Sequence, residues 1–396
     1  MRTFLKNLQY PYVIVPVTFI LSFFSWIIAS HFAPIKAFSE NMPIQGFYIP
    51  FLWGLWCYII IFLSFSVGIK VIFKDLFLDI KSDVFYYFIS ILAWLGVFSS
   101  FYKILTLLGI EGIITMMVGF ALNEVKETLY EEYSVGILSL RYLIIVSAGL
   151  ALWRLFFKKS IWDYVNLIIF IVYSFIYGRR LDIICMFFFF LIFYSNDKTL
   201  PRINIKSILI YILVILTVFI AISSLRNFNH YDSLGVYNPI NATFFNALAY
   251  LSAPTQAMIS IGVNLQTFDL IPEFATNYLG LFYKASDNYT TYFFINYSKI
   301  YSEYNANSAL LSILAEYGWL GLILYGVKLG FWSIVAGISW RNNTSVLFIL
   351  YPMLLYAFAE IWRLDLFSGG IFYTIIGSIS ILCITVTTVK RISIKK

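Results

Sequence analysis

The sequence predicts an all-α polytopic integral membrane protein with about ten spanning helices. Three observations carry that expectation. Hydrophobic residues make up 61% of the 396 and charged residues only 12%, about half the share of an ordinary soluble domain and too few to cover a water-facing surface. Apolar runs of about 17–25 residues recur along the chain, the length that crosses a bilayer's hydrocarbon core. These runs are continuous rather than alternating, which argues against a transmembrane β-barrel. The same composition excludes disorder and soluble enzyme folds.

In chain order the apolar windows fall at approximately 10–32, 48–69, 84–108, 135–153, 161–177, 181–195, 207–225, 307–338, 344–360 and 371–389. The first follows Arg2 and Lys6. It is too long for a signal-peptide core and lacks a small-x-small cleavage site, so it reads as a retained anchor. The sixth is short, and the eighth is long enough to tilt or to begin outside the membrane. The chain, 1–396, reads as a single membrane domain.

Orientation follows from lysine and arginine. Lys70, Lys74 and Lys81 follow the second window, Arg154, Lys158 and Lys159 the fourth, and Lys198, Arg202 and Lys206 the sixth; Lys390, Arg391, Lys395 and Lys396 close the chain. Every even-numbered connection is thus basic, which makes both termini cytoplasmic. The outer side carries segment 33–47, an acidic stretch at 109–134 and one large loop at about 226–306. That loop holds an apolar piece, Ala247 to Val263, interrupted by Pro254 and expected as re-entrant or interfacial helix. Its tail, Tyr278 to Tyr304, is rich in Tyr, Asn and Ser. No internal repeat is visible, so a transporter built from duplicated halves lacks support.

Cys57, Cys185 and Cys383 each lie inside an apolar run, where they read as small packing residues. The net charge of +7 reports topology; no arginine-rich stripe or zinc-finger spacing points to nucleic acid. Two histidines and no ligand-spaced carboxylate cluster leave metal chemistry without a basis, and no cofactor motif is present.

The sharpest signal is arginine on the outer side. Arg141, Arg179, Arg180, Arg226 and Arg363 all lie in or beside the outer ends of the expected spans, the side that positive-inside logic depletes. Arginine at membrane depth needs a partner or a polar cavity, and its planar fork suits phosphate oxygens. Five together would make a basin for an anionic lipid head such as a pyrophosphate. The plainer account pairs each with a nearby carboxylate: Asp182 with Arg179 or Arg180, and Asp365 or Glu360 with Arg363. Gly178-Arg179-Arg180-Leu181-Asp182 forms a tight connection between two short spans. Arg226 opens the large loop, with His230 and Asp232 following closely. His230 could act as a general base near neutral pH or be an ordinary loop histidine.

Asn307-Ser308 opens the eighth window, and Ser308, Ser312 and Glu316 recur at helical spacing on one face. Glu316, deep in an apolar helix, would meet an outer arginine or help activate a hydroxyl. Gly318, Gly321, Gly326 and Gly330 read as close-packing positions.

The acidic outer stretch, Gly-Arg-Arg at a hairpin tip, an arginine opening one large outer loop and the Asn307-Ser308…Glu316-Tyr317-Gly318-x-x-Gly321 helix resemble the Wzy-type O-antigen polymerases, the oligosaccharide repeat unit polymerases. As architecture the resemblance covers most of the chain; as motifs it covers Gly178–Asp182 and Asn307–Gly321. It implies a metal-independent lipid-linked glycosyltransferase with a GT-C-like fold in the bacterial inner membrane, working at the periplasmic face without a cofactor. The substrate implied is an undecaprenyl-pyrophosphate-linked oligosaccharide, and a chain-length regulator protein is a candidate partner. Arg141, Arg179, Arg180, Arg226, Arg363 and Asn307 would bind pyrophosphate or glycan. The proton acceptor stays open among His230, Asp232, Glu316 and Asp182. O-antigen ligases share the fold and the large loop, but their corresponding helix starts with His-Asn where this chain has Asn307-Ser308. A flippase for the same lipid-linked sugar is the third alternative.

Overall fold

The computed structural model describes residues 7–31, 44–73, 77–118, 136–177, 180–197, 199, 217, 220, 238–267 and 308–395. Among these the architecture is helical, and the extended pairing consists of an isolated antiparallel bridge between Asp79 and Ser345. The helices are α1 (Pro11–His31), α2 (Tyr48–Gly68), α3 (Asp83–Val118), α4 (Leu143–Arg154), α5 (Ile161–Ile176), α6 (Arg180–Asn196), α7 (Pro239–Val263), α8 (Ala309–Tyr317), α9 (Leu320–Arg341), α10 (Leu350–Glu360) and α11 (Gly370–Lys395). Among the described residues six segments are long and apolar enough to cross a membrane: Pro11–His31, Tyr48–Gly68, Asp83–Thr115, Ile137–Arg154, Leu320–Arg341 and Gly370–Val389. Three shorter apolar helices, Ile161–Ile176, Asp182–Asn196 and Val346–Glu360, match the fifth, sixth and ninth windows. The chain is a polytopic membrane protein. The seventh window, 207–225, lies almost wholly outside the described residues.

The fold divides into two compact units. The first comprises Met1–Ile80 and Phe245–Tyr373, the second Lys81–Phe244 and Thr374–Lys396. In the first unit α2 and α9 pack closely: Gly326 faces Trp56, and Gly330 faces Ser64. α1 is held by α7. Trp26 Nε1 donates to Gln256 Oε1 at 2.7 Å, and Ser22 Oγ donates to the Leu251 carbonyl at 2.7 Å and lies as close to Thr255 Oγ1. Around these bonds Trp26, Ala29, Leu248, Ala249, Ala253 and Ile259 form one apolar cluster. At the far end of α1, the Tyr351 hydroxyl of α10 donates to the Gln9 carbonyl. There Asn342, which ends α9, accepts from the Phe73 amide and donates to the Val71 carbonyl, fastening the chain beyond α2.

In the second unit the start of α3, the end of α4 and the start of α5 meet at one charged joint. Arg154, 2% exposed, donates to Asp83 at 2.6 Å and to Asp163 at 3.3 Å, with its guanidinium 4.2 Å from the Tyr86 ring. Lys158 adds a second bond to Asp83. One turn further along α5, Asn166 donates to Tyr86 and Ser90 and accepts from Trp94 Nε1 at 2.8 Å. Arg154, Asp163 and Asn166, all buried, each have partners, as burial requires.

Three expectations need correction. The eighth window is not one helix: α8 ends at Tyr317, and Gly318 turns the chain with φ 60° and ψ −159° before α9 begins. That backbone is open to glycine and strained for other residues, so Gly318 is a break rather than a packing position. Conversely, Pro254 does not interrupt its segment, because α7 runs unbroken from Pro239 to Val263. Proline lacks the N–H that would bond the Tyr250 carbonyl, yet the helix continues, and Ser22 of α1 fastens it at the next carbonyl, Leu251. α3 also continues past its expected end to Val118, through a kink at Gly109 with φ 67°. The three cysteines are buried.

Candidate functional site

Of the ten site residues expected from the sequence, Arg179, Arg226, His230, Asp232 and Asn307 lie outside the described residues, and Arg180 opens α6 with its side chain undescribed. Arg141, Asp182, Glu316 and Arg363 can be placed. Arg141 and Asp182 belong to the second unit, Glu316 and Arg363 to the first.

Arg141 sits in a 3-10 turn (Ile137–Tyr142) that leads directly into α4. Only 1% of it is exposed. Its guanidinium donates to the Ser100 hydroxyl of α3 at 3.5 Å, the Leu138 carbonyl at 3.4 Å and the Tyr142 hydroxyl at 3.2 Å. The rings of Tyr142 and Tyr177 lie 4.9 Å and 6.0 Å from it, close enough for cation–π attraction. Gly96 explains the depth: a Cβ there would come within 2.1 Å of the Arg141 amide nitrogen. α3 can therefore receive the turn only where it has no side chain. Tyr177 follows the last residue of α5, and Asp182, buried in the first turn of α6, follows the Gly178-Arg179-Arg180 connection. The structure thus brings Arg141 to the end of α5, beside Tyr177.

In the first unit, Arg363 takes the plainer of its two expected fates. Its Nε donates to Glu360 Oε2 at 2.6 Å, one helical turn back. Asp365 does not join it, because a residue that the sequence reading passed over claims that carboxylate. Lys328, eight residues into α9 and 1% exposed, donates to Asp365 Oδ2 at 2.5 Å and to Ser368 Oγ at 2.5 Å. Ser368 donates to Asp365 Oδ2 at 2.6 Å, while Asp365 Oδ1 accepts from the Phe367 amide at 3.1 Å and from the Tyr325 hydroxyl at 3.4 Å. Each carboxylate oxygen therefore accepts two bonds, which uses its lone pairs fully. Asp365 also caps the short 3-10 turn Leu366–Ser368 between α10 and α11.

A lysine beside a serine suggests an activated nucleophile. Lys328, however, donates to Ser368 Oγ rather than accepting from it, and the Ser368 hydroxyl itself donates to Asp365 Oδ2. The geometry therefore does not present the lysine as a base for the serine. Glu316 is the penultimate residue of α8, beside the Gly318 break, and is half-buried. It interacts with the Tyr317 hydroxyl, and its charge reaches Lys328. Its helix begins at Ser308, whose φ of 67° is the one positive value among the described non-glycine residues. The Ser308 hydroxyl accepts from the Leu310 amide at 3.1 Å, a capping bond. The signal for Lys328 was available: a lone lysine within the apolar run Leu320–Arg341 demands a partner.

No protein-family model, curated protein or solved structure matches the chain.

Proposed function

We propose that the chain is a lipid-linked glycan polymerase of the inner membrane. In this reading it transfers a growing glycan from undecaprenyl pyrophosphate to the sugar end of a new lipid-linked repeat unit, at the periplasmic face. The observation that carries the proposal is the burial of Arg141 beside Tyr177, at the end of α5. A guanidinium preset at that depth stabilises the charge that develops on a departing pyrophosphate. The glycosidic bond forms from an acceptor hydroxyl to the anomeric carbon as that carbon's bond to pyrophosphate oxygen breaks. The electron pair leaves with the pyrophosphate, and the hydroxyl proton passes to a protein base.

The experiment is a reconstitution of purified protein with a lipid-linked repeat unit in EDTA, read as a ladder on a gel. A ladder is expected, and Arg141→Ala, Arg179→Ala or Arg226→Ala should reduce it by about 100-fold or more. Folded protein that makes no product from the correct substrate overturns the reading in favour of a ligase or flippase.

A further inference from the structure

α3 is longer than a membrane requires. Its apolar stretch Asp83–Thr115 has 33 residues, about 50 Å if straight, whereas the hydrocarbon core is about 30 Å thick. The partly exposed Asp83–Lys158 pair fixes one end at a water-facing level. From there about 20 residues cross the core and reach Tyr102 and Lys103, the aromatic and cationic types that settle at a membrane boundary. Phe88, Ile91, Leu95, Phe98, Tyr102 and Leu105 are all exposed. They recur at alternating steps of three and four residues, which makes one continuous lipid-facing stripe.

The next two positions in that rhythm are Gly109 and Gly112. Gly109 leaves helical geometry, with φ 67° and ψ 172°, and among the described residues a Cβ on it would meet nothing within 4 Å. The glycine therefore serves the bend and not the approach of a neighbour. Beyond the bend Ile110, 66% exposed, and Ile114, 54% exposed, share one side of the helix, with Ile113 beside them at the same helical spacing. Glu111 and Thr115 are exposed on the adjoining side, where the Thr115 hydroxyl donates to the Glu111 carbonyl at 2.8 Å. The exposed apolar residues have left the register of the stripe, so this piece does not simply prolong the span. Continued straight, Ile114 would stand about 15 Å beyond Lys103, in water, where exposed isoleucine is costly.

We propose that residues 110–118 form an interfacial helix, laid along the bilayer surface by the Gly109 bend, with Ile110, Ile113 and Ile114 sunk among the lipids and Glu111 and Thr115 toward water. The occupant of the exposed face is lipid, continuous with the lipid that covers the stripe before the bend. A helix so placed rests its apolar side about 5–10 Å into the boundary between headgroups and acyl chains. The test uses the full-length protein in nanodiscs of phosphatidylethanolamine and phosphatidylglycerol. A nitroxide label is attached at Ile110→Cys, Glu111→Cys, Ile114→Cys or Thr115→Cys, one at a time, with Cys57, Cys185 and Cys383 changed to Ala. Should that background not fold, the native cysteines are kept, since burial shields them from the label, and the unsubstituted chain supplies the blank. Collisions with oxygen, which partitions into lipid, and with a water-soluble nickel chelate then report depth. Oxygen should dominate at 110 and 114, at a depth of about 5–10 Å, and nickel at 111 and 115. Equal nickel access at all four positions puts the helix in water and overturns the proposal. Oxygen dominance at all four makes the piece part of the span and overturns it too. Protection of 110 and 114 from both reagents overturns it in favour of a protein contact, such as a second copy of the chain.

Discussion

The run Ile137–Arg154 carries a buried arginine at each end, and the two are held by different means. Arg154 is gripped by carboxylates, Asp83 and Asp163. Arg141 is seated against hydroxyls, a carbonyl and two tyrosine rings. Both side chains are at most 2% exposed, so burial does not separate them. Arg154 ties three helices into a joint whose charges cancel, and such a joint fixes geometry. Around Arg141, hydroxyl and carbonyl dipoles and two π faces orient the guanidinium, so one run seats its two buried arginines by different chemistry.

The largest expected effect breaks the joint. Arg154→Ala leaves Asp163, 0% exposed, as a buried charge deprived of a partner. It should cost about 3–5 kcal/mol, read by thermal unfolding in detergent, with extension lost only as the fold is lost. Equal thermal destabilisation by Arg141→Ala would erase the distinction between the two ends.

A smaller change sharpens the comparison from the other side. Gly96→Ala drives a methyl group into the Arg141 backbone, at a cost of about 1–3 kcal/mol. The turn must shift, so extension should fall by more than the lost stability explains when activity is normalised to folded protein. Unchanged specific activity would remove Gly96 from the account of Arg141.

The smallest effect belongs to the charged end. Asp197 lies 2.9 Å from Lys81. Burial pushes its carboxyl up, but hydrogen bonds from Thr199 and Lys81 outweigh that and hold it below the ordinary 3.8. A lowered carboxyl contributes stability that is present above pH 3.8 and lost as pH falls through the lower folded-state value. Asp197→Asn should therefore flatten the acid side of the stability curve below about pH 4, by about 1 kcal/mol or less. An acid limb identical to wild type would show that the pair contributes nothing.

Much of this was legible in the sequence because membrane helices announce themselves by length and apolarity. α1 and α2 fill their expected windows to within a few residues. Gly318 was harder to read, since a packing glycine and a left-handed one look alike in a string of letters. Pro254 misled for the opposite reason: a proline can sit inside a continuous helix when tertiary packing, here of α7 against α1, holds the segment. At the site, Arg363 found Glu360 as its local spacing allowed. The Lys328–Asp365 pair spans 37 positions, a separation at which periodicity carries no information.

The bond between Trp26 and Gln256 joins residues 230 positions apart. At synthesis rates of about 5–20 residues per second, roughly 10–45 s separate the appearance of the first partner from that of the second. Through that interval the indole N–H of Trp26 and the hydroxyl of Ser22 wait at membrane depth without the acceptors that α7 will bring. Seating α7 against α1 is therefore a late event in the birth of this protein. Its timing is set by how long the first helix is kept uncommitted.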